Sequence, residues 1–235
     1  MRPFDAVVVT CEHASARVPP RYAKLFARGR RALESHRGYD PGTVAAARDL
    51  ARRFDAPLHV GRVTRLLIDL NRRIGSRTLF SEFSAPLPPD EKKRLVARYW
   101  EPYRAAVAAD VAARVGAGRS VLHVSVHSFT PVWKGERRNA DLGILYDPSR
   151  RRERALGRAW STALRLKRPR LRVRRNYPYL GKADGLVTSL RRRFPVRAYA
   201  GIEIELNQAL MALGKPPRAL LDALAATLAP FVRSG

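Results

Sequence analysis

A chain of 235 residues, 46% of them hydrophobic, is long enough to bury a full core and reads as one domain over 1–235. Its single cysteine, Cys11, excludes a disulfide framework and a cysteine-only metal cage, and the lack of a leader pattern or long apolar run predicts an unexported, cytoplasmic protein without a membrane span. The net charge is +26, but its arginines are spread from 28–31 through 149–154 to 191–193 without a basic tail, so charge alone does not assign a function, and non-specific attraction to nucleic acid is favoured over a dedicated nucleic-acid role.

In chain order, the β-branched run DAVVVTC (5–11) predicts a strand that delivers Cys11, Glu12 and His13 at its carboxyl end. DPGTVAAARDLARRF (40–54) predicts a helix capped by Asp or Thr, and LHVGRV (58–63) a second strand. The segment 88–115 has acids in its first turn and helical apolar spacing, with a bend expected at Pro102. Strands follow at SVLHVSV (120–126) and DLGILYD (141–147), a helix at 149–167, strands at LRVRR (171–175) and AGIEIEL (200–206), and a last helix over 216–234. This alternation predicts an α/β fold with a mostly parallel or mixed central sheet flanked by helices. In such sheets ligands bind beyond the carboxyl ends of the strands.

Chemistry-bearing residues collect at such ends. His127 and Ser128 close one strand; Arg65, Asp69, Asn71 and Arg72 lie in TRLLIDLNRR; His36 and Asp40 lie in SHRGYDPG; Asn176 and Tyr179 lie in RNYPYLG. Two imidazoles and a carboxylate from different strand ends suit a three-ligand zinc site that keeps a position for water. By spacing alone a structural histidine is the commoner outcome, and there is no HExxH or CxxC. Glu203 and Glu205 share one strand face and Ile202, Ile204 and Leu206 the other, so the acidic face should look into a site rather than a core. His123, four residues before His127, reads as a core or supporting histidine. Cys11 reads as a small buried hydrophobe, with a thiol nucleophile paired to His13 as the less favoured alternative.

The blocks CEHAS, HRGYDPG, TRLLIDLNR, HSFTP followed by RRNADLGILYD, then NYPYLG and GIEIELNQ resemble, in that order, the N-formylglutamate amidohydrolase family from residue 7 to about 210. That family is similar in turn to the zinc carboxypeptidases and aspartoacylases, and the resemblance implies a zinc-carboxypeptidase-like fold and a metal-dependent hydrolase of N-formyl or other N-acyl amino acids. It implies His13 and His127 as ligands of Zn2+ or another divalent metal. The position three after His13, where carboxypeptidases carry their acid, is Ala16, so Asp40 is the first choice for the third ligand and Glu12 the second. Arg65, Asn71 and Arg72 would hold a small anionic substrate by its carboxylate, with Asp69 orienting an arginine. Arg138 or Arg137 would hold a second carboxylate or the acyl oxygen. Asn176 and Tyr179 would line the pocket, Tyr179 donating to the oxyanion, and Glu205 would be the general base. The chain departs from the family in having SLRRRFPVR where a histidine often precedes the last acidic strand. A basic nucleic-acid-binding protein and a catalytically degenerate family member are the competing readings.

Overall fold

A computed structural model describes residues 2–211 and 214–233; Ser234, the end of the predicted last helix, lies outside them. In chain order the elements are β1 (Ala6–Cys11), α1 (Arg30–Leu33), α2 (Thr43–Arg53), β2 (Leu58–Val60), α3 (Pro89–Leu95), α4 (Glu101–Gly116), β3 (Val121–Phe129), β4 (Val132–Trp133), β5 (Glu136–Arg137), β6 (Leu142–Leu145), α5 (Arg151–Lys167), β7 (Val173–Arg175), α6 (Leu186–Arg193), β8 (Tyr199–Asn207) and α7 (Arg218–Leu228). Six strands form one sheet in the order β2-β1-β3-β8-β6-β7, and β4 and β5 form a separate hairpin. Neighbours from β2 to β8 are parallel, β6 runs antiparallel to β8, and β7 is parallel to β6. The expected mixed, mostly parallel α/β sheet is therefore present.

The central strands β1 and β3 are buried on both faces, and β1 accordingly reads as a continuous apolar run. Val7, Val9, Cys11, Leu122, Val124, Val126, Ile202, Ile204 and Leu206 make one face, packed in a core with residues of α2, α5 and α7. Val8, Val121 and Tyr199 pack on the other face with residues of α4 and α6. Toward the carboxyl ends this second face changes character to His123, Ser125 and His127 on β3 beside Glu203 and Glu205 on β8. The segment between β2 and α3 has its own apolar cluster, including Val63, Leu66, Leu67, Ile68 and Leu70. That cluster anchors a long irregular segment whose polar residues Arg65, Asn71 and Arg72 then reach the site. No helix among the described residues is long and apolar enough to cross a membrane.

Three local expectations are corrected, and one helix is added. The N-cap of α2 is neither Asp nor Thr but Gly42, at φ 79°, a left-handed conformation that glycine adopts without steric cost; Thr43 Oγ1 instead donates to the Asp40 carbonyl at 2.7 Å. β2 covers only Leu58–Val60 of the expected 58–63; beyond it Gly61 passes so close to the Glu12 carbonyl that a Cβ would meet it at 1.9 Å. The helix expected to bend at Pro102 widens just before it, into a π turn over Val96–Trp100. α6, not expected from the sequence pattern, is hidden by its arginines: Arg191 is buried, paired with buried Glu153 at 2.9 Å and donating to the Gly201 carbonyl at 3.0 Å.

Candidate metal and active site

β1 ends at Cys11, and the turn beyond it breaks the strand alternation, so Glu12 and His13 reach the same buried cluster. Glu12 Oε2 accepts from Ser125 Oγ at 2.8 Å and lies 3.1 Å from His127 Nε2. His13 Nε2 lies 2.7 Å from Asp69 Oδ1. Asp40 comes from the turn before α2, held there by its N–H donating to the His13 carbonyl at 2.8 Å. Its Oδ2 is 3.1 Å from His127 Nδ1 and 3.4 Å from His13 Nδ1.

This arrangement fits a divalent cation. One ligand atom from each of His13, Asp40 and His127 lies within 4.8 Å of the others, and all three residues are buried. Each imidazole has a carboxylate on Nε2, Asp69 for His13 and Glu12 for His127, an arrangement that turns Nδ1 of both rings toward Asp40, where a cation could replace the proton that now bridges His127 Nδ1 and Asp40. Nδ1 of His13 is buried without a hydrogen-bond partner. Burial opposes ionisation of Glu12, Asp40 and Asp69, but neighbouring His127 for Glu12 and His13 for the two aspartates, through charge and hydrogen bonds, hold all three below the usual carboxylate range. The Arg65 guanidinium lies against Asp40 and Asp69 at 3.1 and 3.6 Å, and a divalent ion would take over the positive charge that a protonated imidazole now places between the carboxylates. Glu12, the second choice as ligand, stands behind His127 and outside this convergent set.

Beside the cluster lies a cavity of about 160 Å³ whose walls include His13, Asp40, Arg65, Asn71, Arg72, His127, Tyr179, Glu203 and Glu205. His127 and Glu205 are direct partners across the parallel β3–β8 pair, so their side chains stand side by side on one face. Gly143 of β6, partner of Glu205 on the other side, has no room for a Cβ because the Tyr177 carbonyl would lie 2.1 Å away. Glu205 Oε2 is buried without a hydrogen bond, and burial pushes its carboxyl up to about 8. Burial also raises Glu203 above the ordinary range. Arg72 Nη1 donates to the Asp184 carbonyl at 2.9 Å, while its Nε is buried and unpartnered. Asn71 Oδ1 accepts from the Leu186 N–H at 2.7 Å, and its Nδ2 lies 3.5 Å from His127 Nε2.

Other expected residues sit elsewhere. Asn176 does not line the cavity: at φ 49°, its Oδ1 accepts from the N–H groups of Tyr146 and Gly181 at 2.9 and 3.2 Å and braces the loop. Arg138 also stands back from the wall, its guanidinium 5.3 Å from both the Trp133 and Tyr179 rings and its Nη2 3.3 Å from the Tyr179 hydroxyl. Asp69 contacts His13 more closely than any arginine, so its first role is to orient an imidazole. His123 is a core residue, bonded to Thr10 Oγ1 at 2.8 Å and the Tyr199 hydroxyl at 2.7 Å, with burial pushing its pKa down to about 4. Cys11 is fully buried against Thr43, and burial pushes its thiol up to about 12. Such a thiol makes no useful nucleophile. Cys11→Ala should therefore keep turnover within about twofold and lose about 1 kcal/mol of stability for the small void, measured by steady-state kinetics and urea unfolding.

A parallel strand pair that sets a glutamate beside two histidines and an aspartate, with guanidinium groups on the same cavity, is the equipment of a hydrolytic enzyme. Residues 5–212 match the family model of N-formylglutamate amidohydrolase, and the chain belongs to that family. The resemblance read in the sequence blocks is thus borne out. A gene product of Agrobacterium tumefaciens with a solved crystal structure is 31% identical, over 97% of this chain and 89% of that one, with a TM-score of 0.78. An N-formylglutamate amidohydrolase from Ralstonia eutropha JMP134 is 21% identical over 97% of this chain and 96% of that one, and its TM-score of 0.65 shows a shared fold. No curated protein matches the chain.

Proposed function

We propose that the chain is a zinc-dependent amidohydrolase that cleaves an N-formyl or other N-acyl amino acid, N-formylglutamate-like, to a free amino acid and a small carboxylate. The observation that carries this reading is the pairing of His127 with Glu205 across β3 and β8, which puts a carboxyl group without an ion pair on the same cavity as the His13–Asp40–His127 cluster. Bound by those three residues, zinc would serve as a Lewis acid toward the acyl oxygen and lower the pKa of water. Glu205, ionised where a bound cation would offset the burial that raises its carboxyl, receives one proton of the attacking water and delivers it to the leaving nitrogen; the water's second proton ends there too, so amide and water become carboxylate and ammonium. Arg72, whose side chain lines the cavity, takes the substrate carboxylate, and the Asn71 amide on the same wall adds a neutral contact. Arg65 is already engaged by Asp40 and Asp69, so it contributes positive potential more than a free fork. Tyr179, held at the rim by Arg138, is the candidate donor to the developing oxyanion. The competing nucleic-acid reading gains no support from the family match.

The test is a screen of N-formyl and longer N-acyl amino acids with the zinc-loaded protein, following release of the free amine. Turnover of at least one such compound at rates well above the metal-stripped protein is expected; no turnover of any would overturn the proposal. Arg72→Ala should lower kcat/KM by the equivalent of about 2 to 4 kcal/mol, mostly through KM, since it removes a charge-assisted pair. Lys at this position should restore only part of it, because an ammonium cannot form two parallel bonds to a carboxylate. Equal rates on carboxylate and carboxamide substrates in the unmodified protein would contradict this clamp.

A further inference from the structure

The helix spanning α3 and α4 carries one irregularity. Over Val96–Trp100 the backbone widens, and the Glu101 N–H bonds back five residues to the Val96 carbonyl. Pro102 accounts for the location: in an unbroken α-helix its ring would clash with the Arg98 carbonyl, and it has no N–H to donate there. The extra residue rotates α4 by about 100° relative to α3.

That rotation decides what the end of the π turn and the first turn of α4 touch. Trp100 Nε1 donates to the Arg72 carbonyl at 2.8 Å, and Arg104 Nη1, one turn on, donates to the Leu70 carbonyl at 3.0 Å. The Arg104 guanidinium lies 4.7 Å from the Trp100 ring centroid, and its Nη2 donates to Ser189 Oγ of α6 at 2.6 Å. The first residue of α6 in turn donates its N–H to Asn71 Oδ1. Both carbonyls flanking Asn71 are thus gripped from behind while the side chains of Asn71 and Arg72 line the cavity; neither Trp100 nor Arg104 lines it.

We propose that Trp100 and Arg104, brought into line by the π turn, are positioning residues that hold Asn71 and Arg72 in register for an anionic substrate group, and so set the selectivity of this cavity for carboxylates. The inference rests on the reading of Arg72 as the carboxylate clamp. A two-pronged hydrogen bond tolerates displacement of only about half an ångström, so loosening the backbone of residues 70–72 costs selectivity without touching the metal ligands.

Trp100→Phe tests this, because it keeps the ring under Arg104 and removes only the N–H donor. With the zinc-loaded full chain, the best N-formyl amino acid and its α-carboxamide, KM for the carboxylate should rise about five- to tenfold while kcat stays within about twofold. The preference for carboxylate over carboxamide should fall by the same factor, with zinc content unchanged. Arg104→Lys, which cannot serve Leu70 and Ser189 together, should shift the preference in the same direction. Arg72→Ala is run alongside. If Arg72→Ala abolishes the preference and both outer variants retain it, even with a lowered Tm, the positioning role is overturned and the clamp stands. If Arg72→Ala retains the preference, the clamp reading fails and this inference falls with it.

Discussion

Glu205→Gln should lower kcat by about two to four orders of magnitude while leaving zinc content, fold and KM near their wild-type values. The amide matches the carboxylate in shape, and Glu205 has no ion pair to lose and one buried oxygen without a hydrogen bond. Replacing it by a neutral group therefore removes a proton acceptor from the cavity without stranding a partner. A carboxylate that served only the fold would behave differently, with a change of stability and almost unchanged turnover. Glu203→Gln is the control, since it lies on the same strand face, two residues deeper, and lines the same cavity. A collapse of kcat in the Glu203 variant alone would move the base along β8, and near-normal kcat in both would remove the mechanism.

His127→Ala should abolish zinc retention and bring turnover to the level of the metal-stripped protein, and His13→Ala should do the same. Loss of His127 also leaves Glu12 and Asp40 as buried carboxylates without their imidazole, a change that costs about 3 to 5 kcal/mol when a buried pair is broken from one side. Metal content must therefore be measured on the folded fraction. Asp69→Asn gives the graded companion: the amide keeps the shape and leaves Nδ1 of His13 in place, so zinc affinity should fall about 10- to 100-fold instead of vanishing. Chelator competition measures both. Full zinc content in either alanine variant would contradict the ligand set.

The parts of this site that can be read in the sequence are those fixed by local pattern. His127 and Glu205 stand at the ends of apolar runs, and period-two alternation alone puts them on faces distinct from Val126, Ile204 and Leu206. His13 and Asp40 needed the order of several blocks, because nothing in the spacing of 13, 40 and 127 forces them together. Pairings across the chain were not legible. Asp69 lies between Arg65 and the Arg72–Arg73 pair and reads as a partner for arginine, yet the irregular segment carries it to His13, 56 residues away in sequence. Asn176 reads as a polar pocket residue, but its left-handed backbone turns its side chain onto the loop's own N–H groups. The π turn was legible only as a disturbance at Pro102; its consequence for Trp100 and Arg104 depends on a one-residue change of phase that apolar periodicity cannot resolve. Arg191 shows the same limit for charge, since one arginine of a run that reads as solvated is an interior partner of Glu153.

The most direct test of a metal-dependent amidohydrolase built on His13, Asp40 and His127 is to strip the protein with a chelator and titrate zinc back. Bound metal and hydrolysis of an N-formyl amino acid are followed in the same samples. Turnover should be lost on stripping and return in proportion to bound zinc, reaching its maximum at about one ion per chain. Undiminished turnover by the fully metal-free protein would contradict the account.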